Sequence, residues 1–423
     1  MISTVANLPS PASPFLQISS YESIPFQQLQ SHPRTALANS YVIRKALIRK
    51  HYLAHTVRSY LVKIRDSELR DHVPVTVDFE VDYAEFLDEA LVEAYELNES
   101  FMRNEGKDGS NREWWILKPS MSDGGIGIQL FSTAQELRDI FTNWEADQPE
   151  SEVGDDHERV QSAIPDAESS DTQNLDSGII TSQLRYFVAQ PYIPPLLLPE
   201  YQNRKFHIRT YVLSVGAIRV YVYKPMLALL AEMPYRTPGT VVDSLSSNGG
   251  TKAAMDMRPH LTNTCLQATS ASTTPTVLPL CSLTSSLLPP PLLSSVTTQI
   301  YTTTSTLFRA AVAQPTNFQP FPNAFEVFGV DWLVDPEGKV HLLEVNAFPD
   351  FKQSGPEEGR GVVEGLWRGV LGIVLMGDGK GEGFFGVLQG ESTEGKCGGK
   401  EAKGNVERKW GMKEVLDLDM GRR

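Results

Sequence analysis

The 423-residue chain predicts an α+β fold in which helices lead into antiparallel hairpins, and three patterns carry that reading. Apolar residues recur at helical spacing from Tyr41 to Lys63 (Ile43, Ala46, Leu47, Leu53, Val57, Leu61). Two alternating runs, 206–214 and 218–223, flank Gly216 as a hairpin. A later pair, F-G-V-D-W-L-V-D-P-E-G-K-V-H-L-L-E-V-N at 328–346, is joined by Asp335-Pro336-Glu337-Gly338, which is turn chemistry.

Taken in order, residues 1 to about 40 mix Pro, Ser and Gln without a period and read as a disordered tail. Residues 41–113 form a helical region. Its first helix carries Arg44, Lys45, Arg49 and Lys50, a solvated face or a landing site for an acidic peptide, and a second spans about Tyr83 to Leu97. Residues 114–376 form the core. It opens with a strand at Trp114–Lys118, a Gly-rich turn, and a helix at Thr133–Trp144 capped by Ser132 or Thr133. A strand at Tyr186–Gln190 and helices at Thr298–Ala313 and Val362–Met376 complete it. Two stretches inside the core, about 146–178 (acidic, Ser-rich) and 268–295 (Ser/Thr/Pro-rich), read as disordered insertions, and 377–423 as a low-complexity tail.

Composition excludes several classes. An apolar fraction of 41% supports a real core, and a formal charge of -14 excludes a general nucleic-acid binder, which needs clustered Lys and Arg. Cys265, Cys281 and Cys397 show no metal-ligand spacing, so a reduced, cytoplasmic protein is expected. Met1–Ser20 lacks the pattern of a secretory signal. The apolar stretch 277–296 is broken by Pro279 and Pro289-Pro290-Pro291, so no membrane span is expected.

The late hairpin carries the clearest chemistry. Alternation puts Val330, Trp332 and Val334 on one face with Leu343 and Val345, and Asp331, Glu344 and Asn346 on the other. Two carboxylates and an amide are hard-oxygen ligands of the kind magnesium takes when shared with nucleotide phosphates. An ordinary solvated sheet face is the alternative. Lys118 ends a strand before Pro119-Ser120-Met121-Ser122-Asp123-Gly124-Gly125-Ile126-Gly127, a setting that suits phosphate or a plain hairpin turn. Lys205, His207 and Arg209 share one face of a strand, as an anion clamp or as the solubilising residues of an exposed edge. His260-Leu261-Thr262-Asn263 offers polar groups for phosphate or ribose, or a helix cap.

These phrases, in order, resemble the tubulin-tyrosine ligase family of the ATP-grasp superfamily, closest to fungal or plant-like members. They are I-R-K-A-L-I-R-K (43–50), W-I-L-K-P (115–119), Q-P-Y-I-P-P-L-L-L (190–198), R-K-F-H-I-R-T-Y-V-L (204–213), H-L-T-N (260–263) and the hairpin continuing into A-F-P (328–349). The resemblance implies an ATP-grasp fold whose sheets clasp Mg-ATP, and ligation of a free amino acid to a protein carboxylate, such as a tubulin tail, through an acyl phosphate. By motif position, Lys45, Lys118 and Lys205 would hold nucleotide phosphates, and the loop of Ser120, Gly124, Gly125 and Gly127 would close over them. Gln190, Tyr192 and Ile193 would line the adenine slot, and Thr262 and Asn263 would approach the γ-phosphate. Asp331, Glu344 and Asn346 would carry Mg2+, and Lys205 and Arg209 would act on the transferring phosphoryl group. A monomer is expected.

The pattern departs from the family at two places. His207 stands where a carboxylate is expected, and Leu229 stands near an expected arginine. A nucleotide-binding pseudo-ligase that recognises a partner, and a ligase acting on a small metabolite, therefore remain open beside the protein ligase.

Overall fold

The structure is a computed structural model. It describes residues 13–122, 124–146, 184–240, 255–262, 276–283, 285–347, 349, 351, 358–377, 383–384 and 406–418. The chain divides into two compact units, Met1–Val75 with Ile193–Thr237 and Asp256–Arg423, and Thr76–Tyr192 with Pro238–Met255. The first unit begins with β1 (Phe15–Gln17), α1 (Phe26–Ser31), β2 (Ala36–Ala38), α2 (Lys45–Ile48), α3 (Lys50–Lys63) and α4 (Leu69–His72). The second unit holds β3 (Val77–Glu80), α5 (Leu87–Ala90), α6 (Tyr95–Asn104), β4 (Trp115–Pro119), β5 (Gln129–Phe131), α7 (Ala134–Ala146) and β6 (Tyr186–Pro191). The first unit then resumes with β7 (Arg204–Val215), β8 (Arg219–Tyr223), β9 (Leu227–Pro234), β10 (Val277–Pro279) and α8 (Pro290–Val312). It closes with β11 (Phe325–Val334), β12 (Val340–Ala347), α9 (Glu358–Met376) and β13 (Met412–Asp417).

The second unit is an antiparallel sheet of order β3-β6-β4-β5. Its core joins Phe79, Phe187 and Trp115 of the sheet to Phe141 and Trp144 of α7, with Phe141 edge-on to Phe187 at 4.9 Å. The start of α7 is set locally. Thr133 Oγ1 accepts the Glu136 N–H at 3.1 Å, and Glu136 Oε2 accepts the Ser132 N–H at 2.8 Å.

In the first unit the sheet runs β10-β9-β7-β11-β12, with β8 bridging β7 to β13. Every residue of β7 and β11 is buried. Alternation splits their side chains between two cores. Phe206, Ile208, Val212, Phe328, Val330 and Trp332 join α8 and α3, where Phe308 meets Phe328 at 5.6 Å. Tyr211, Leu213, Phe325 and Val327 join Leu366, Val370 and Ile373 of α9. Along that second face the same rows continue, by alternation, into Lys205, His207, Arg209, Gly329 and Asp331. The charged residues thus extend a face that α9 packs only in part.

Several expectations change. The expected tail at 1–40 contains β1, paired parallel to β2, and Asn323 Nδ2 donates to Leu29 O and Ala36 O, both at 2.9 Å. These are tertiary bonds that composition does not reveal. The first helix breaks at Arg49, whose φ −105° and ψ 121° are extended. Ala46 is held on both sides, its N–H on Asn317 O at 2.9 Å and its carbonyl accepting Thr56 Oγ1 at 3.2 Å. The second helix divides into α5 and α6 around Ala94 (φ −82°, ψ 60°), and Leu87, Leu91 and Leu97 all enter one core.

The boundary expected at 113/114 is crossed by hydrogen bonding, since β3 pairs with β6. The insertion expected at 146–178 lies outside the described residues from 147 on. Within 268–295, residues 277–279 form β10 against β9, and α8 begins at Pro290, where a proline suits the first turn. In the expected tail, β13 pairs with β8, and a helical turn at 406–410 brings Trp410 against α9. A Cβ at Gly372 would come 2.7 Å from the Trp410 ring, so the absence of a side chain makes that seat. Among the described residues, no helix is long and apolar enough to cross a membrane.

Candidate functional site

The late hairpin folds as its turn chemistry dictates. Asp335 Oδ1 accepts the N–H groups of Glu337 (3.1 Å) and Lys339 (2.8 Å), and Gly338 takes φ +80°. Opposite pairs run Gly329 with Asn346, Val330 with Val345, and Asp331 with Glu344; the register then shifts, so that Trp332 faces Leu342. Leu343 is therefore the extra residue of a β-bulge and is only half-buried, while Leu342 fills the core position expected for it. The bulge leaves the polar face as expected: Asp331, Glu344 and Asn346 converge. Asn346 Nδ2 lies 3.1 Å from Glu344 Oε1 and 3.4 Å from Asp331 Oδ2.

The next strand completes a row. Asp331 pairs with Arg209 across β11 and β7, so Arg209, Asp331 and Glu344 lie side by side over three strands. Arg209 grips Asp331 with both Nε and Nη2, the latter at 2.9 Å. Burial opposes the Arg209 charge, but Asp331 outweighs it and holds the guanidinium pKa above its usual value. Gly329 makes room for Pro349, since a Cβ there would come 2.9 Å from Pro349 Cβ, while Arg209 Cδ would stay in ordinary contact at 3.5 Å.

Lys205, His207 and Arg209 are buried on a strand inside the sheet, so the reading as an exposed edge does not hold. The β7/β9 register shifts beside Lys205, a second irregularity bordering the same cluster. His207 Nδ1 meets Thr262 Oγ1 at 2.5 Å, and its Nε2 lies 3.6 Å from Asp331 Oδ1 without a hydrogen-bond partner among the described residues. Burial lowers the His207 pKa and keeps the imidazole neutral at pH 7. A neutral ring whose Nδ1 accepts the Thr262 hydroxyl proton carries its N–H at Nε2. His260 is likewise held neutral, its pKa lowered to about 4 by burial and by the Lys205 charge. Leu229, at the place of the expected arginine, is buried and lies directly opposite His207 across β7 and β9. The two departures from the family pattern are thus cross-strand neighbours.

The second unit carries Lys118 and the glycine-rich turn that follows it. Lys118 is buried at the end of β4, with Nζ donating to Gln190 Oε1 at 2.8 Å, and Gln190 Nε2 donating to Thr76 Oγ1 at 2.8 Å. Past Ser120, whose N–H bonds Tyr186 O at 2.8 Å, Gly124, Gly125 and Gly127 take φ +68°, +87° and +74°. That left-handed backbone favours glycine and can turn successive N–H groups toward an anion. Tyr192 N–H bonds Trp114 O at 2.7 Å, and the chain leaves this unit at Ile193. Asn263 lies outside the described residues, as does Asp123.

Lys45 sits 4.7 Å over the Tyr52 ring, while Lys50 is the lysine that reaches the carboxylate corner, its Nζ 3.6 Å from Glu344 Oε2. Arg44 does not line a solvated face. It forms a 2.8 Å ion pair with buried Glu326 and stacks 4.0 Å over Tyr21. The signal for this contact was a glutamate inside the apolar run of β11.

A sequence profile described as the tubulin-tyrosine ligase family matches residues 27–381. The chain belongs to the tubulin-tyrosine ligase family. It is 42% identical over 362 residues to the probable tubulin–tyrosine ligase C12B10.04 of Schizosaccharomyces pombe, covering 85% of this chain and 82% of that protein. It is 41% identical over 340 residues to the probable tubulin–tyrosine ligase PBY1 of Saccharomyces cerevisiae, covering 80% of this chain but only 42% of that protein's length. Among solved structures it resembles the C-terminal domain of K. lactis Pby1, described as an ATP-grasp enzyme interacting with the mRNA decapping enzyme Dcp2. There the TM-score is 0.61 and the identity 32%, over 97% of this chain and 90% of that one. The α+β fold is accordingly an ATP-grasp fold.

Proposed function

We propose that this tubulin-tyrosine ligase family member uses Mg-ATP to join an amino acid to a carboxylate of a protein. The observation that supports this most directly is the row of Arg209, Asp331 and Glu344 closed by Asn346, all on the face that α9 leaves to polar residues. Two carboxylates with an amide that can turn its oxygen inward fit magnesium, a hard cation that keeps few protein ligands. Among the described residues no group of three or more His, Cys, Asp or Glu side chains is placed to hold a metal; in this reading nucleotide phosphates would supply the remaining oxygen ligands. When bound, the ion supplies charge stabilisation at the transferring phosphoryl group.

In this reading the acceptor carboxylate attacks the γ-phosphorus and ADP leaves; the amine then attacks the acyl carbon and phosphate leaves. Lys118 and the glycine loop hold phosphates. Arg209, fixed by Asp331, presents a cation that needs no reorganisation. Lys205 contributes a second charge, and the neutral His207 orients Thr262. Tubulin is one candidate acceptor, and the mRNA decapping enzyme Dcp2, described as interacting with the K. lactis relative, is another. Incubation with Mg-ATP, mixed amino acids and both kinds of acceptor, followed by mass spectrometry, should show an acceptor mass increment equal to one residue.

A second reading, partner recognition without ligation, is favoured by Leu229, an apolar side chain facing His207. Nucleotide binding with no acceptor-dependent ADP release across those mixtures would decide for it.

A further inference from the structure

Helix α6 reverses the usual amphipathic order. Its inward face holds Leu97 and Phe101, but also the buried polar residues Ser100 and Asn104. These two fix the helix in place: Trp115 Nε1 donates to Ser100 Oγ at 2.9 Å, and Asn104 Nδ2 donates to Glu113 O and Ser132 O, both at 2.8 Å. The outward face is the apolar one. Tyr95 is 68% exposed and Met102 62%. Seven residues of helix bring them within about 20° of each other, about 10 Å apart along the axis. Val92, 66% exposed, precedes the helix, and the Asn98 side chain donating to Leu91 O at 3.0 Å holds that segment against the first turn. One exposed apolar residue is ordinary, but three on a short, fixed segment form a patch.

The patch is set in negative charge. Residues 82–107 carry eight carboxylates against Arg103 and Lys107. The guanidinium groups that reach this region are engaged: Arg103 with Glu113 and Glu99, Arg138 with Asp88, and Arg185 with Glu80 and Asp82. Lys107 lies beyond the end of α6. Glu85, Glu89, Glu93 and Glu96 are exposed and form no ion pair among the described residues.

We propose that the outward face of α6, with Val92 before it, is a docking surface for a basic amphipathic helix of a protein partner. Apolar side chains at i, i+3 or i+4 and i+7 of such a helix match the spacing of Tyr95 and Met102, and flanking Lys or Arg would answer Glu93 and Glu96. The chain's own acidic stretch, 146–178, has the wrong sign to cover the patch, and an anionic lipid surface is repelled for the same reason. This surface uses none of the residues assigned to Mg-ATP, so it stands or falls apart from that reading.

The test is binding of a fluorescein-labelled synthetic helix to the full chain, read by anisotropy. The helix carries leucines at i, i+3, i+4 and i+7 and lysines elsewhere. It should bind saturably, and a shuffled peptide of the same composition, or the same pattern with glutamate for lysine, should bind at least about tenfold more weakly. Tyr95→Ala with Met102→Ala should weaken the leucine–lysine helix roughly tenfold, and Glu93→Lys with Glu96→Lys should do the same while flattening its salt dependence. Both double variants should keep the wild-type circular dichroism and affinity for an ATP analogue. Absence of saturable binding, equal binding of the shuffled peptide, or an affinity unchanged in either double variant overturns the docking surface. Self-association of the wild type in sedimentation, abolished in both double variants, would give the patch to a second copy of the chain and overturn the basic partner.

Discussion

Arg209 and Asp331 are directly opposite on neighbouring strands β7 and β11 and share two hydrogen bonds in a buried setting. Asp331 is the main reason the buried Arg209 guanidinium holds its charge there. Asp331→Asn should therefore leave an uncompensated guanidinium and lower stability by about 3 kcal/mol, in the range for breaking one side of a buried pair. Urea unfolding of the variant measures it. A loss below about 1 kcal/mol would mean that solvent already reaches Arg209.

Lys118 and Gln190 give a prediction for the second unit. Their 2.8 Å contact fixes the ammonium at the end of β4 beside the glycine loop. Lys118→Met keeps the stem and removes the charge, so the affinity for an ATP analogue should fall about 10- to 100-fold, as for a lost charge-assisted bond. Calorimetry of analogue binding, with circular dichroism to show that the fold persists, distinguishes this from unfolding. Unchanged affinity would count against a phosphate role.

Glu326 makes stability pH-dependent. Burial raises its pKa from 4.5 to about 7, partly offset by Arg44. A carboxyl whose folded value is raised binds its proton more tightly in the folded state, so stability falls as pH rises from about 4.5 to about 7. Glu326→Gln should flatten that fall by about 2–3 kcal/mol relative to wild type, judged by unfolding free energies at pH 5 and pH 7.5. Superimposable pH profiles would refute the assignment.

The seat of Trp410 on Gly372 predicts how the C-terminal segment is held. Gly372→Leu would place side-chain atoms where the indole lies, 2.7 Å from the position of a Cβ. The variant should release residues 406–418 and expose the β13 segment to limited proteolysis, while the wild type resists. Equal cleavage rates would show that β13 pairing alone holds the segment.

Much of this was legible beforehand. Alternation in β7 and β11, the Asp335–Gly338 turn and the Thr133 cap are local, and local chemistry is read from neighbours in sequence. Lys118, Arg209, Asp331, Glu344 and Asn346 carried their chemical character in the same way. What escaped depended on partners far along the chain. Arg44 looked solvated until Glu326 stood opposite it, 282 positions on. Leu343 looked buried until the bulge passed that place to Leu342.

By itself, then, the sequence determined the α+β class, the family motifs and the residue types of the candidate site, because period and turn chemistry act over a few residues. The tertiary structure decided that Arg209, Asp331 and Glu344 form one row, that Lys50 is the lysine at its end, and that β10 and β13 are strands. Strand pairing joins segments through backbone groups that every residue carries, so which strands meet is settled by the packing of the whole sheet.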